Sequence, residues 1–364
     1  MTAPAPHLWL TLTPHGYGHA VMTAPLVAEL RRRRPGLRLT IQTELPRAFL
    51  ATRYGSDFEL VDSIPDFGMV MTSAVGVDVP ASAAAYARLA ARWPDLVAAE
   101  AARLARARPD LVLANVPPLS LAAAAAAGIP SVAFSCLNWY DLYRHYCGDR
   151  PEAPAVLARL GEAYGAARLF LRCAPAMAMT LPNCHDVGPV AALGRRRGRE
   201  LRTKLRMPAE TRVGLLAFGG IDYRLDLTRW PAVPGWVWVS ALNEAPPVRP
   251  DMAAWQETGI PFADLIASVD LVVTKPGYGT YTEVALAGIP VLAVPRPGWP
   301  ESEPFNAWLA GHTRCLEVAP ERLTSPELPA LLDTLFAQNP RPAAAPTGVA
   351  EAADAVDRIL MGVA

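Results

Sequence analysis

Residues 270–292 read Asp270-Leu-Val-Val-Thr-Lys-Pro-Gly-Tyr-Gly-Thr-Tyr-Thr-Glu-Val-Ala-Leu-Ala-Gly-Ile-Pro-Val-Leu292. A short apolar run, a glycine turn over 276–279, a helical stretch, and Gly288-Ile-Pro290 before a second apolar run make a β-loop-α-β unit. The apolar runs are continuous rather than alternating, which fits strands buried on both faces of a parallel sheet. Thr280 is expected at or near the helix N-cap, and Glu283 three residues later has the spacing of a capping box. Backbone N–H groups of 277–280 and the Thr280 hydroxyl can hold a pyrophosphate at such a helix start, without a P-loop lysine after the second glycine. A simple helix cap explains Thr280 and Glu283 equally well.

The same unit opens the chain. LWLTLT (8–13) reads as a strand, His15-Gly-Tyr-Gly-His19 as a glycine loop, and the next stretch as a helix that Pro35-Gly36 stops. LRLTIQT (37–43) is again strand-like. A helix over about 81–107, a strand at 110–114, a helix at 118–127 and a strand at 131–135 follow. A polar, basic stretch (185–210) interrupts the pattern. It resumes with strands at 213–218, 236–242, 270–274 and 290–294, and PRPAAAP (340–346) precedes a last amphipathic helix. The expected organisation is α/β, with two Rossmann-like domains and parallel sheets. An N-terminal domain spans 1–190, a linker 191–206 and a C-terminal domain 207–345, with the last helix (348–364) packing back on the first domain.

Composition narrows the function classes. Lys+Arg and Asp+Glu balance at 34 each, which argues against a nucleic-acid partner. The chain is 52% hydrophobic yet has no apolar run of spanning length. Its five scattered cysteines, without CxxC, read as reduced thiols of a cytoplasmic protein. The N-terminus lacks a basic stretch before its short apolar run, so no signal peptide is expected. The 37 prolines punctuate apolar runs as loop ends do.

The His15–His19 loop sits where a first strand hands over to a first helix, the edge at which open α/β sheets bind ligands. Gly16 and Gly18 let the backbone approach a ligand, but Val21 replaces the third small residue of a dinucleotide fingerprint. Two histidines there suit proton transfer near neutral pH. They can also simply satisfy backbone groups in a turn, and a metal site gains no support from a nearby Cys or carboxylate.

KPGYGTYTEVALAGIPVLAVPRPGWPESEPFNAWLA (275–310) resembles the donor-nucleotide region of inverting, two-domain GT-B glycosyltransferases, closest to the family 28 type that includes the peptidoglycan GlcNAc transferase. TPHGYGHA (13–20) and SCLNWYDLY (135–143) look still more like the glycosyltransferase-like half of L-arabinokinases. The resemblance implies a GT-B fold, its domains facing across a cleft. It implies diphosphate contacts from Gly277, Tyr278, Gly279 and Thr280, with Gly219 and Gly220 across the cleft. It puts the ribose on Glu283, the base on Ile260 and Phe262, and the donor sugar on Glu301, Glu303 and Asn306. The family's Asp/Glu-Gln pair is here Glu303-Pro304. His19 matches the histidine near the acceptor, with His15 or Asp141 as the alternative base and Gly16, Gly18, Asn138 and Trp139 on the acceptor side. Asn115 stands where some relatives orient that histidine with an aspartate. Trp299 is the candidate for exposed stacking on a sugar, and Arg31–Arg34 either close their helix or touch an anionic membrane.

The expected activity is metal-independent, inverting transfer of a sugar from a UDP- or dTDP-sugar to a hydroxyl acceptor, small or lipid-linked, with no cofactor and no metal. The alternatives are a non-catalytic nucleotide-sugar sensor and a sugar-nucleotide epimerase of the same architecture.

Overall fold

The computed structural model describes residues 5–63, 66–73, 76–219 and 225–362. The chain divides into two compact units. The first comprises Met1–Thr72, Val77–Val190 and Thr347–Ala364, and the second comprises Ser73–Gly76 and Ala191–Pro346.

The first unit is built on seven strands: β1 (His7–Leu12), β2 (Arg38–Gln42), β3 (Glu59–Val61), β4 (Leu111–Asn115), β5 (Ser131–Ser135), β6 (Leu169–Cys173) and β7 (Cys184–Val187). They lie in the order β3-β2-β1-β4-β5-β6-β7, all pairings parallel. β1, β4 and β5 are buried along their whole lengths, as strands covered by helices on both faces must be. β1 pairs with β2 on one side and β4 on the other. The loops leaving β1 and β4 therefore diverge at the switch point of the sheet, where such folds leave a crevice.

The second unit has six strands: β8 (Arg212–Leu216), β9 (Trp236–Ser240), β10 (Met252–Ala254), β11 (Leu271–Thr274), β12 (Val291–Ala293) and β13 (Cys315–Glu317). Their order is β10-β9-β8-β11-β12-β13, again parallel throughout. Here the switch point falls between β8 and β11. Trp230, Trp236 and Trp238 fill one core with leucines of the helix Leu328–Ala337. Gly214 on β8 exists for Trp238, whose ring occupies the space a Cβ would need.

The helix Thr347–Leu360 buries Ala352, Ala355, Val356 and Ile359 and packs against Gly18–Arg33 in the first unit. Gly348 meets Gly188 backbone to backbone, so a Cβ at either position would collide with the other strand of the contact. Arg33–Asp354 (2.5 Å) and Arg34–Asp357 (2.9 Å) close the edge of this packing.

Three local expectations change. The helix expected over 81–107 is two helices, Val79–Ala91 and Trp93–Ala107, because Pro94 cannot continue the first. The stretch 191–206, expected as a linker, is grouped with the second unit and carries the helix Gly198–Lys204. Its polar residues are tied down: Arg195 N–H and Arg197 Nε donate to Asp264, and Arg202 pairs with Asp270 at 2.6 Å. The arginines of 31–34 are likewise engaged. Arg31 donates to the Tyr54 and Asp57 carbonyls, Arg32 and Arg33 hold Glu29, and Arg34 holds Asp357. Arg32, Arg33 and Arg34 thus have acidic neighbours, while Arg31 meets only carbonyl oxygens. No helix among the described residues is long and apolar enough to cross a membrane.

Candidate functional site

In the first unit the site grows from the ends of β1 and β4. Gly16 takes a positive φ of 82°, which lets the chain turn sharply before the helix Gly18–Arg33 begins. That helix has no side-chain cap and no acid in its first turn. His19, in this first turn, is only 7% exposed. Its Nδ1 lies 2.5 Å from Oδ1 of Asn115, the last residue of β4. The Asn115 amide nitrogen faces Met22 Sδ at 3.2 Å, so the oxygen faces the ring. A carbonyl oxygen only accepts; Nδ1 therefore carries the proton and Nε2 keeps its lone pair. Burial pushes the His19 pKa below its ordinary value, against a smaller opposing pull from Asn115. The ring is accordingly neutral at neutral pH and its Nε2 basic.

His15 is half-buried and meets the Trp139 ring edge-on at 5.7 Å. Trp139 is wholly buried, so it does not present a stacking face to an acceptor. Its indole N–H instead donates to Asp66 Oδ2 at 3.1 Å, and the Thr13 hydroxyl donates to the same oxygen. Asn138 also turns inward. Its side chain caps the helix Trp139–Cys147 through Asp141 N–H (2.7 Å), and its amide nitrogen donates to the Asp141 carboxylate. Gly18 is exposed at the helix start. Asp66 is the residue that sequence reasoning missed. It is 6% exposed, and burial raises its pKa against the donors that hold it. It follows β3, an edge strand of three residues with too little periodicity to announce itself.

In the second unit, β11 runs into Lys275-Pro276-Gly277 and then the helix Tyr278–Ala287. Gly277, not Thr280, is the N-cap, with extended backbone and no side-chain cap. This corrects the capping-box reading: Thr280 lies inside the first turn and Glu283 a turn further on, buried. No side chain caps this helix start, and Gly279 and Thr280 are half-exposed in its first turn. Tyr278 is buried against Phe305. Gly219, beyond β8 on the other side of the switch point, has φ 79° and is exposed; Gly220 lies outside the described residues.

The sugar-loop candidates separate. Glu301 is buried at the start of the helix Ser302–His312 and accepts the Trp299 indole N–H. Trp299 is 4% exposed, and Arg296 lies 3.7 Å above its ring, so it is not the exposed stacking platform expected. Glu303 is exposed on the first turn. Asn306 accepts from Tyr281 Oη (2.8 Å) and donates to Glu317 (2.7 Å), which ties the helix to β13. Ile260 is buried, its carbonyl accepting from Trp255 Nε1, while Phe262 is half-buried edge-on to Trp255 at 5.1 Å. Sequence reasoning gave no role to Lys275 or Arg296, both over nine-tenths buried at this edge.

A cavity of about 560 Å³ in the second unit opens instead at the N-terminal strand edge, lined by Arg196, Arg212, Arg314 and Arg341. Arg196 donates to the Ala287 carbonyl at a helix C-terminus and Arg314 to the Gln338 carbonyl. Such contacts account for positive charge at that edge.

No family model matches the chain. Over 81% of its length it is 27% identical to the L-arabinokinase of Arabidopsis thaliana, of which it spans 28%. The calicheamicin glycosyltransferase CalG4 superposes over the full length of both chains with a TM-score of 0.66 at 20% identity. The fold is GT-B. UGT89C1 of Arabidopsis thaliana, solved with UDP, gives 0.59 at 15% identity, covering 99% of this chain and 100% of its own. An assigned UDP-N-acetylglucosamine 2-epimerase from Listeria monocytogenes also gives 0.59, at 13% identity over 99% and 98%. GT-B architecture thus hosts both transfer and epimerisation, and the site must decide between them.

Proposed function

We propose that the chain is an inverting, metal-independent glycosyltransferase that moves a sugar from a UDP- or dTDP-sugar to a hydroxyl acceptor. The observation that carries this reading is the uncapped start of the Tyr278–Ala287 helix at the switch point of the second sheet, with Glu283 buried one turn on. The N–H groups of Gly279 and Thr280 and the positive helix end suit a diphosphate, and they neutralise developing charge without a bound cation. Glu283 then accepts from the ribose hydroxyls, and Ile260 and Phe262 pack against the base. The solved relatives named for their sugar transfer or their bound UDP support the same assignment.

The chemistry divides between the units. In the first, His19 Nε2 takes the proton of the acceptor hydroxyl as its oxygen attacks the anomeric carbon. The bond from that carbon to the diphosphate breaks, the electron pair leaves with the nucleotide, and the configuration inverts. Asn115 accepts the Nδ1 proton and fixes the tautomer. It cannot offset the imidazolium charge as a carboxylate would. That one feature favours the second reading, a nucleotide-sugar-binding protein without transfer.

Titration calorimetry with UDP and dTDP tests the donor site, with Glu283→Ala weakening binding at least tenfold. Unchanged binding by that variant would sink the assignment. Product analysis then separates the chemistries: a free nucleotide with a new glycoside marks transfer, an altered sugar nucleotide marks epimerisation, and no product marks binding alone.

A further inference from the structure

Lys275 is an electrostatic anomaly. The residue is 9% exposed, and its ammonium makes no hydrogen bond or ion pair among the described residues. The charged groups that face it are Arg296, which repels it, and Glu301, which attracts it. Glu301 is already engaged by the Trp299 indole, and Arg296 lies over the same ring. A buried cation without a dedicated counter-ion is costly, and folds keep such a group where an anion will complete it.

Its position says which anion. Lys275 is the first residue after β11, two residues before the Gly277 N-cap. Thr274 pairs with Ala293, and Val294 N–H donates to the Thr274 carbonyl at 2.7 Å. The β11 and β12 ends are thus adjacent, and the loops carrying Lys275 and Arg296 leave the same sheet edge. Lys275 thus lies two residues before an uncapped helix start, on the sheet edge from which the Arg296 loop also leaves.

We infer that Lys275 is the cation that binds the diphosphate of the donor at the start of the Tyr278–Ala287 helix, and that donor binding is therefore coupled to proton uptake. The inference rests on the donor-site reading above and adds to it a specific residue and a pH dependence. Burial, with help from Arg296, lowers the Lys275 pKa to about 8 in the free protein. A bound diphosphate favours the charged form and raises it. At pH 8, where roughly half of Lys275 is neutral, binding takes up about half a proton.

The test is calorimetric titration of the full chain with UDP, and separately with inorganic pyrophosphate, at pH 8 in two buffers of different ionisation enthalpy. The terminal phosphate of UDP is already ionised there, with a second pKa near 6, so the uptake reports on the protein. The wild type is expected to take up a fraction of a proton and to bind UDP about tenfold more weakly at pH 9 than at pH 7. Lys275→Met should bind at least tenfold more weakly at pH 7 with no uptake. Lys275→Arg, always charged, should bind without uptake and lose the pH dependence; if the larger head fails to fit, the wild type and the Met variant decide the matter. Tight UDP binding with no uptake and no loss in Lys275→Met overturns the inference and leaves the donor reading intact. Lys275-dependent binding of pyrophosphate but of no nucleotide upholds Lys275 as a diphosphate-binding cation and overturns the nucleotide reading. Binding of neither overturns both.

Discussion

His19 shows how much one side chain owes to its neighbours. Burial keeps the ring neutral and Asn115 fixes which nitrogen is free. If the neutral ring is the base, as proposed, kcat/KM should hold down to pH 6.5 and fall only as the pH drops through the lowered His19 pKa. Asn115→Asp places a carboxylate at Nδ1, raises that pKa and moves the acid limb to higher pH; an unmoved limb would remove His19 from the base role. His19→Ala should cut kcat by about 10²–10⁴-fold with donor affinity unchanged. Asp66→Ala leaves the buried Trp139 N–H and Thr13 hydroxyl without their acceptor, at a cost of about 1–3 kcal/mol read by denaturant unfolding. Lys275 carries a pH signature in stability as well. Its folded pKa, about 8, lies below the unfolded value, so the fold holds fewer protons between the two. Its penalty is full below pH 8 and fades as the pH rises toward 10.5. Lys275→Met should therefore raise the Tm of the free protein at pH 7, with a gain that shrinks by pH 10. The sequence placed His19 and Asn115 correctly as neighbours through resemblance. Asp66 stayed hidden because its partners come from three separate segments that no local pattern links.

At the scale of elements, the strands buried on both faces were the legible ones: β1, β4, β5, β8, β9, β11 and β12 all stand out as continuous apolar runs. β3, β10 and β13, each three residues long, and β7, half polar in Cys184–Val187, gave no such signal. Helix starts misled more than helix bodies. Thr280 and Glu283 have capping-box spacing, yet the helix begins earlier at Tyr278, because Gly277 already supplies the extended cap residue. The tryptophans misled for another reason: Trp139 and Trp299 flank functional loops in sequence, but each buries its ring and spends its N–H on a carboxylate. The return helix Thr347–Leu360 makes its own prediction. Gly348→Val should drive a side chain into the Gly188 carbonyl, costing about 1–3 kcal/mol and making the 340–346 segment more susceptible to proteolysis. An equal cleavage rate in wild type and variant would show that the contact contributes little.

The whole molecule is two parallel α/β units, each with its candidate residues at the C-terminal edge of its own switch point. The first holds a neutral, buried histidine, and the second an uncapped helix start with a buried lysine beside it. The two glycine loops after β1 and β11 were legible in the sequence as the candidate site segments; the buried lysine and the true start of the second helix were not. What was not readable is which polar residues are spent on the fold. Asn138, Asn306 and Arg31–Arg34 looked available, and each is consumed by a cap, a tie between elements or an ion pair. The central claim is that the second unit holds a nucleoside diphosphate. A thermal-shift titration of the wild type with UDP, dTDP, GDP and ADP tests it most directly. A ligand at 100 times its Kd adds about 2.7 kcal/mol to the stability of the state that binds it. UDP or dTDP should raise the Tm by several degrees in a saturable way, with GDP and ADP weaker. No shift with any of the four at millimolar concentration would contradict the claim.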